Sequence, residues 1–218
     1  QKISQCKKIK KTPILVGGTG LYFKALTEGL VNIPKIPNNF RNKVRNLHKR
    51  IGQKKFFQKL LQIDPLIKDQ INSLDTQRSI RAYEIKSFTK KSMISWFKNT
   101  KSDYSHNDFF KICIDFPRKD LIERINQRSE NMIKLGAILE VKKFIKLRVP
   151  KNKSLSKAIG ISEIKQYLQK KIQTEQLIEK ISIKTRQYAK RQSTWARGHM
   201  KDWNKVNPAG LDKLLKKI

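Results

Sequence analysis

Arginines at helical spacing and one glycine turn are the features of this sequence that carry chemistry. In Asp75-Thr76-Gln77-Arg78-Ser79-Ile80-Arg81-Ala82 the two arginines stand three residues apart, on one helix face beside Gln77. A guanidinium grips a carboxylate or phosphate with two parallel N–H groups, which a lysine ammonium cannot do. Leu121, Ile125, Arg128 and Met132 follow i, i+4, i+7, i+11 and share one helix face, with Arg124 one turn before Arg128. An arginine in such a core-facing stripe is either paired with a buried carboxylate or clamps an anion, and both readings fit. Between Thr185 and Gly198, Arg186, Lys190, Ser193 and Arg197 form a polar, cationic stripe, while Tyr188 and Trp195 lie one heptad apart with Gln192 between them. Basic residues interleaved with aromatics and amides suit phosphate contact plus stacking on unpaired bases. A solvated basic face with its aromatics packed inward accounts for the same residues. Val16-Gly17-Gly18-Thr19-Gly20-Leu21-Tyr22 reads as strand, turn and helix start, which gathers backbone N–H groups at one point. It is not a Walker loop, because no Gly-Lys-Ser/Thr follows. It is either a tight connection or a place where Thr19 meets a ligand at the carboxyl edge of a sheet.

These side chains need elements to hold them. Residues 1–11 read as the end of a polar helix, and Pro13 to Gly18 as a strand apolar on both faces, the pattern of a parallel sheet. The other strand expected is Phe110 to Asp115. Two strands are few for such a sheet, so part of it is expected upstream of Gln1. Helices are predicted over 19–30, 41–52, 53–62 and 76–87, with Asp75 capping the last and Asp64-Pro65 opening a short turn. Residues 32–39 read as a linker and 98–108 as a polar loop. One long helix is predicted from Pro117 to about Arg148, then helices over 154–169 and 174–198. The fold class is α/β, mostly α in this chain, with an incomplete parallel sheet and a helical lobe inserted between its strands. The domain division is 1–32 core, 33–108 inserted lobe, 109–204 remaining core and C-terminal helices, 205–218 basic tail.

Of 218 residues, 50 are Lys or Arg and 17 are Asp or Glu, a formal net charge of +33. A compact body with that charge repels itself unless polyanion is near, which puts nucleic acid ahead of an anionic membrane surface. Drift toward lysine codons accounts for part of the same excess. Position separates the two, because nine of the 12 arginines (41, 78, 81, 118, 124, 128, 186, 191 and 197) lie in or beside the segments above. No stretch reaches the roughly 18–20 apolar residues of a membrane span, so a soluble, cytoplasmic protein is expected. Cys6 and Cys113 stand apart without CxxC spacing and read as reduced thiols, and three scattered histidines make no metal cluster.

Four segments in register resemble the tRNA dimethylallyltransferase family: Pro13 to Tyr22, the Asp-x-Gln-Arg-x-x-Arg-Ala of 75–82, the Pro-Arg…Glu-Arg-Ile-x-x-Arg of 117–128, and Thr-Arg-Gln-Tyr-Ala-Lys-Arg-Gln-x-Thr-Trp of 185–195. The resemblance implies a P-loop nucleotide-binding-like core and transfer of dimethylallyl from its diphosphate, with Mg²⁺, to the exocyclic amine of the adenosine 3′ to the anticodon. The base is flipped into a channel, and the anticodon stem-loop is the partner of a monomeric enzyme. By the same resemblance, Thr19, Arg41, Gln77, Arg78, Ser79, Ile80 and Arg81 contact tRNA. So do Lys190, Arg191, Gln192, Ser193, Thr194, Trp195, Ala196 and Arg197. Arg128, with Arg124, lines the channel near the diphosphate. The chain has Gly160-Ile161 where many members have Gly-Tyr. The family's phosphate loop, general base and most of its Mg²⁺ site belong upstream of the Gly-Gly-Thr-Gly turn and are not in these 218 residues. The chain alone is therefore expected to contact tRNA without transferring the prenyl group. The competing reading is a non-catalytic RNA-binding module.

Overall fold

A computed structural model describes residues 2–150 and 153–216, so Gln1 of the expected first helix and the last two residues of the expected tail lie outside it. In chain order the elements are α1 (Lys2–Lys8), α2 (Gly20–Thr27), α3 (Asn38–Ile63), α4 (Thr76–Thr89), α5 (Met93–Lys98), β1 (Ile112–Ile114), α6 (Arg118–Lys134), α7 (Ala137–Lys146), α8 (Ile161–Leu168), α9 (Thr174–His199), β2 (Asn204–Val206) and α10 (Leu211–Leu215). Helix dominates, with a small parallel sheet, as the sequence pattern requires. Two compact units result: Gln1–Gly20 with Phe110–Ile218, and Leu21–Phe109.

The Leu21–Phe109 unit is helical. The two expected helices of α3 meet at Gly52, where φ is 74° and ψ 166°. Asp64 ends α3, and Pro65–Ile67 form a 3₁₀ turn. The Asp75 carboxylate accepts the Arg78 backbone N–H at 3.0 Å and so caps α4, satisfying one of the donors a helix start leaves open. Phe57 and Leu60 from α3, Ile67, Ile71, and Ala82 and Ile85 from α4 close one apolar core with Met93 of α5. That last helix was not expected. Ser92 starts it by accepting the Ile94 N–H at 3.2 Å, and the indole of Trp96 donates to Thr89.

In the other unit, α9 is the spine against which α6 and α8 pack. Leu177 and Ile181 of α9 meet Ala137 and Val141 of α7 and Ile164 of α8. Glu163 is buried; it accepts the Gly160 N–H at 3.0 Å at the start of α8 and pairs with Lys184 of α9. The single helix expected from 117 to 148 is two helices. Gly136 has φ 103°, a conformation that side-chain-bearing residues rarely adopt, and the chain turns there from α6 into α7. The helix expected over 154–169 likewise begins only at Ile161, after a 3₁₀ turn at Ser154–Lys157.

The sheet departs from expectation in two ways. Pro13 to Gly18 forms no strand: Ile14 and Val16 are 82% and 90% exposed. A run apolar on both faces needs a sheet neighbour, and among the described residues β1 pairs with β2 instead. That second strand falls in the stretch read as the end of the C-terminal helices and the start of a tail. Its register is Ile112 to Asn204, Cys113 to Lys205 and Ile114 to Val206, parallel.

The glycine turn has a definite seat in this unit. Gln192 Nε2 of α9 donates to the Gly18 carbonyl at 2.8 Å. A Cβ on Gly20 would lie 2.0 Å from the Trp195 ring, so this glycine is demanded by close approach.

Gly20→Ala is expected to lower stability by about 1–3 kcal/mol through overpacking, whereas Gly198→Ala, where an added Cβ meets nothing within 4 Å, gains roughly 0.5–1 kcal/mol; urea unfolding of the pair checks both. Leu60→Ala, at a fully buried site, costs about 2–5 kcal/mol by the same measurement. Burial, and then Asp115, raise the Cys113 thiol pKa above its ordinary value, with Lys205 opposing. The folded state therefore holds this proton longer than the unfolded chain does. The stability it contributes is complete below the ordinary thiol pKa and falls as pH rises through the raised one. Alkylation of Cys113 by iodoacetamide should accelerate at a higher pH than a free thiol does.

Candidate nucleic-acid interface

In the helical unit, three arginines, of which spacing singled out Arg81, converge on one carboxylate. Glu84 is 1% exposed, and its Oε2 accepts from Arg41 Nε and from Arg81 Nη1, both at 3.2 Å. Arg45 Nε stands 3.8 Å from the other oxygen. A buried carboxylate is held in the interior only by such partners, and here they tie α3 to α4. Arg78 pairs with Asp75 at 3.5 Å and remains largely exposed, as does Gln77. Ile80 is half-buried. Ser79 is fully buried: its hydroxyl donates to the Asp75 carbonyl at 2.7 Å and accepts from Gln53 at 3.1 Å. Its side chain is therefore packed into the scaffold at the start of α4. The segment from Gln77 to Arg81 presents Gln77, Arg78 and Arg81 outward and anchors itself through Ser79.

In the other unit, α9 turns the cationic stripe to solvent at Lys190, Arg191, Ser193, Thr194 and Arg197, with Gln192, Trp195 and Ala196 half-buried. Arg186 leaves that stripe, because its Nη1 donates to Asn126 Oδ1 of α6 at 3.0 Å. Tyr188 is 42% exposed, with the Arg191 guanidinium 5.7 Å from its ring centre. Trp195 stacks on His199 at 4.5 Å and 8°. The His199 Nδ1 donates to the Trp195 carbonyl at 3.1 Å, since a carbonyl can only accept, and this fixes the ring on its neighbour. Thr19 is exposed in the glycine turn, whose flanking glycines meet Gln192 and Trp195.

Arg124 and Arg128 sit on α6, and the expected stripe is rotated. Ile125 and Ser129 form the buried row, while Arg124 and Arg128 are exposed. Arg128 is three residues past Ile125, which turns it about 60° off that row on a helix of 3.6 residues per turn. The core-carboxylate pairing weighed for it is not formed. Arg124 lies over the Phe116 ring at 5.0 Å. Phe116, Asp115 and Pro117 with Lys205, Val206 and Asn207 line a shallow cleft just beyond the carboxyl ends of both strands, the place where parallel sheets offer ligand sites. No three His, Cys, Asp or Glu side chains converge as a metal site among the described residues.

Arg45, His199 and Asn126 escaped the sequence reading, although two carried a signal. Arg45 is four residues after Arg41, and His199 four after Trp195, so each shares a helix face with a residue already singled out.

The arrangement is matched elsewhere. The model of the IPP transferase family matches residues 1–199. A tRNA dimethylallyltransferase of Pelagibacter ubique is 56% identical over all 218 residues, which span 70% of that relative. A tRNA dimethylallyltransferase of Rickettsia massiliae is 41% identical over 203 residues, covering 93% of this chain and 56% of the relative. Among solved structures, a eukaryotic dimethylallyltransferase acting on tRNA superposes with a TM-score of 0.72 at 25% identity, over 89% of this chain and 50% of that one. With its motif segments placed as described and the family's pattern running through nearly all of its length, this chain belongs to the IPP transferase family.

Proposed function

We propose that this chain carries the RNA-gripping part of a tRNA dimethylallyltransferase. The whole enzyme moves dimethylallyl from dimethylallyl diphosphate to the exocyclic amine of the adenosine 3′ to the anticodon. In that transfer the bond from the prenyl C1 to the diphosphate oxygen breaks, a bond from C1 to the amine nitrogen forms, and the amine proton leaves to a base. The observation that carries the reading is the hydrogen bond from Gln192 to the Gly18 carbonyl. It joins two motif segments 174 residues apart, and with Trp195 against Gly20 it makes one surface of the glycine turn and α9.

The chemistry of the parts supports this assignment. Lys190, Arg191 and Arg197 offer cations to phosphates, and Tyr188 and the Trp195–His199 stack offer ring surface to unpaired bases. Thr19 presents its hydroxyl beside them. In the helical unit, Arg41, Gln77, Arg78 and Arg81 contact the anticodon stem-loop, with Ile80 and Ser79 shaping the helix that carries them. Arg124 and Arg128, exposed on α6, stabilise negative charge that grows on the departing diphosphate, the role that fixed cations serve best. No helix among the described residues is long and apolar enough to cross a membrane. We place the enzyme in the cytoplasm, acting as a monomer.

Binding of an anticodon arm by this chain, followed over a salt series, tests the reading. Tight binding, a steep fall with salt and a preference for adenosine 3′ to the anticodon are expected; weak binding without preference would overturn it. Replacing both Lys190 and Arg191 by alanine should reduce the slope of log affinity against log salt by about two, one for each phosphate no longer neutralised, and leave the adenosine preference in place.

A further inference from the structure

Three guanidiniums around one buried carboxylate are more than an ion pair requires. Glu84 carries one negative charge and is 1% exposed, while the side chains of Arg41, Arg45 and Arg81 are 37%, 50% and 39% exposed. The cluster therefore holds two surplus positive charges, and its cationic ends reach solvent. Arg41 and Arg45 both face Glu84 through Nε, which leaves their terminal amines for another acceptor. Arg41 and Arg81 share Glu84 Oε2. The other oxygen, Oε1, is buried and accepts no hydrogen bond, and Arg45 Nε stands 3.8 Å from it. Arg45 is thus the most exposed of the three and the least committed to the carboxylate.

We propose that Arg45 is a further phosphate contact of the helical unit, forming with Arg41 and Arg81 an anion tray positioned by the buried carboxylate of Glu84. The inference rests on the tRNA-binding reading above and adds to it a residue and an anchor. Arg41 and Arg45 are one turn apart on α3, and Arg81 comes from α4, so the three forks approach a ribose-phosphate chain from two helices. Glu84 acts through the arginines and touches no RNA. A fixed counter-charge beneath a guanidinium pre-orients its planar fork, which reduces the entropy given up in ordering it on a phosphate. A merely structural cluster would make Arg45 a contributor to stability alone.

The experiment compares the wild-type chain with Arg45→Ala and Arg45→Lys. Anticodon-arm binding over a salt series is read beside thermal unfolding, and the arginine Nε–H resonances are followed by NMR during titration with inorganic pyrophosphate. Arg45→Ala should bind about tenfold more weakly at low salt, with the salt slope reduced by about one. The lysine variant should recover the slope and only part of the affinity, and the melting midpoint should stay put, because both hydrogen bonds to Glu84 remain. Unchanged affinity and slope in Arg45→Ala would overturn the proposal. If Arg45→Ala fails to fold, the titration of the wild-type chain decides, since the Arg45 resonance must move with those of Arg41 and Arg81. A wild-type chain that ignores the anticodon arm would sink the tRNA reading by itself. The tray then stands if pyrophosphate moves the three resonances, and falls if it does not.

Discussion

Carboxylates are the scarce component of this molecule, 17 against 50 basic residues, and two of the buried ones, Glu84 and Glu163, each tie helices together within one of its units. Burying an ion is costly unless its partners are close, so a buried acid fixes the elements that bring those partners. Glu84 does this for α3 and α4 by gathering arginines from each. Glu163 does it for α8 and α9, taking the Gly160 N–H with one oxygen and Lys184 with the other. In both cases the carboxylate sits beneath helices whose remaining cations face solvent. The net positive surface is thus built on a few interior negative charges, and it cannot be enlarged indefinitely by adding lysine.

That dependence explains why arginine persists at particular places in a lysine-rich chain. Two guanidiniums share one oxygen of Glu84, each donating at 3.2 Å from a different nitrogen. An ammonium at either position would deliver a point charge without the second edge that faces outward. Arg186 shows the same economy in another form, turned inward to bond Asn126 and lock α6 to α9. The arginines mark where geometry, and not charge alone, is needed.

Much of the helical framework was legible in the sequence, because it depends on local signals. Asp75 announces α4, the Gly52 break separates two helices as their composition suggests, and α9 runs almost where its periodicity places it. What was not legible depends on tertiary neighbours. Gly136 sits inside an otherwise continuous helical pattern, and only its positive φ reveals the turn between α6 and α7. Asn204-Lys205-Val206 has no strand-like composition and becomes a strand because β1 lies alongside it. Ile14-Leu15-Val16 has the composition of a buried strand and no strand neighbour among the described residues. On α9, spacing puts Lys190, Ser193 and Arg197 on one face, and all three are exposed. It placed Arg128 in the core-facing row, which Ile125 and Ser129 take instead, because a residue beside a face cannot be told from one on it without knowing which row the core takes.

The exposed Ile14-Leu15-Val16 run has a colloidal consequence. Its apolar side chains have no strand beside them among the described residues, the arrangement most prone to pair with another copy of itself. At low ionic strength a charge of +33 keeps two copies from approaching that closely. The screening length shrinks from about 10 Å at 0.1 M salt to about 3 Å at 1 M. The repulsion between copies is therefore screened over the same range of salt in which, on the proposed function, the grip on RNA loosens.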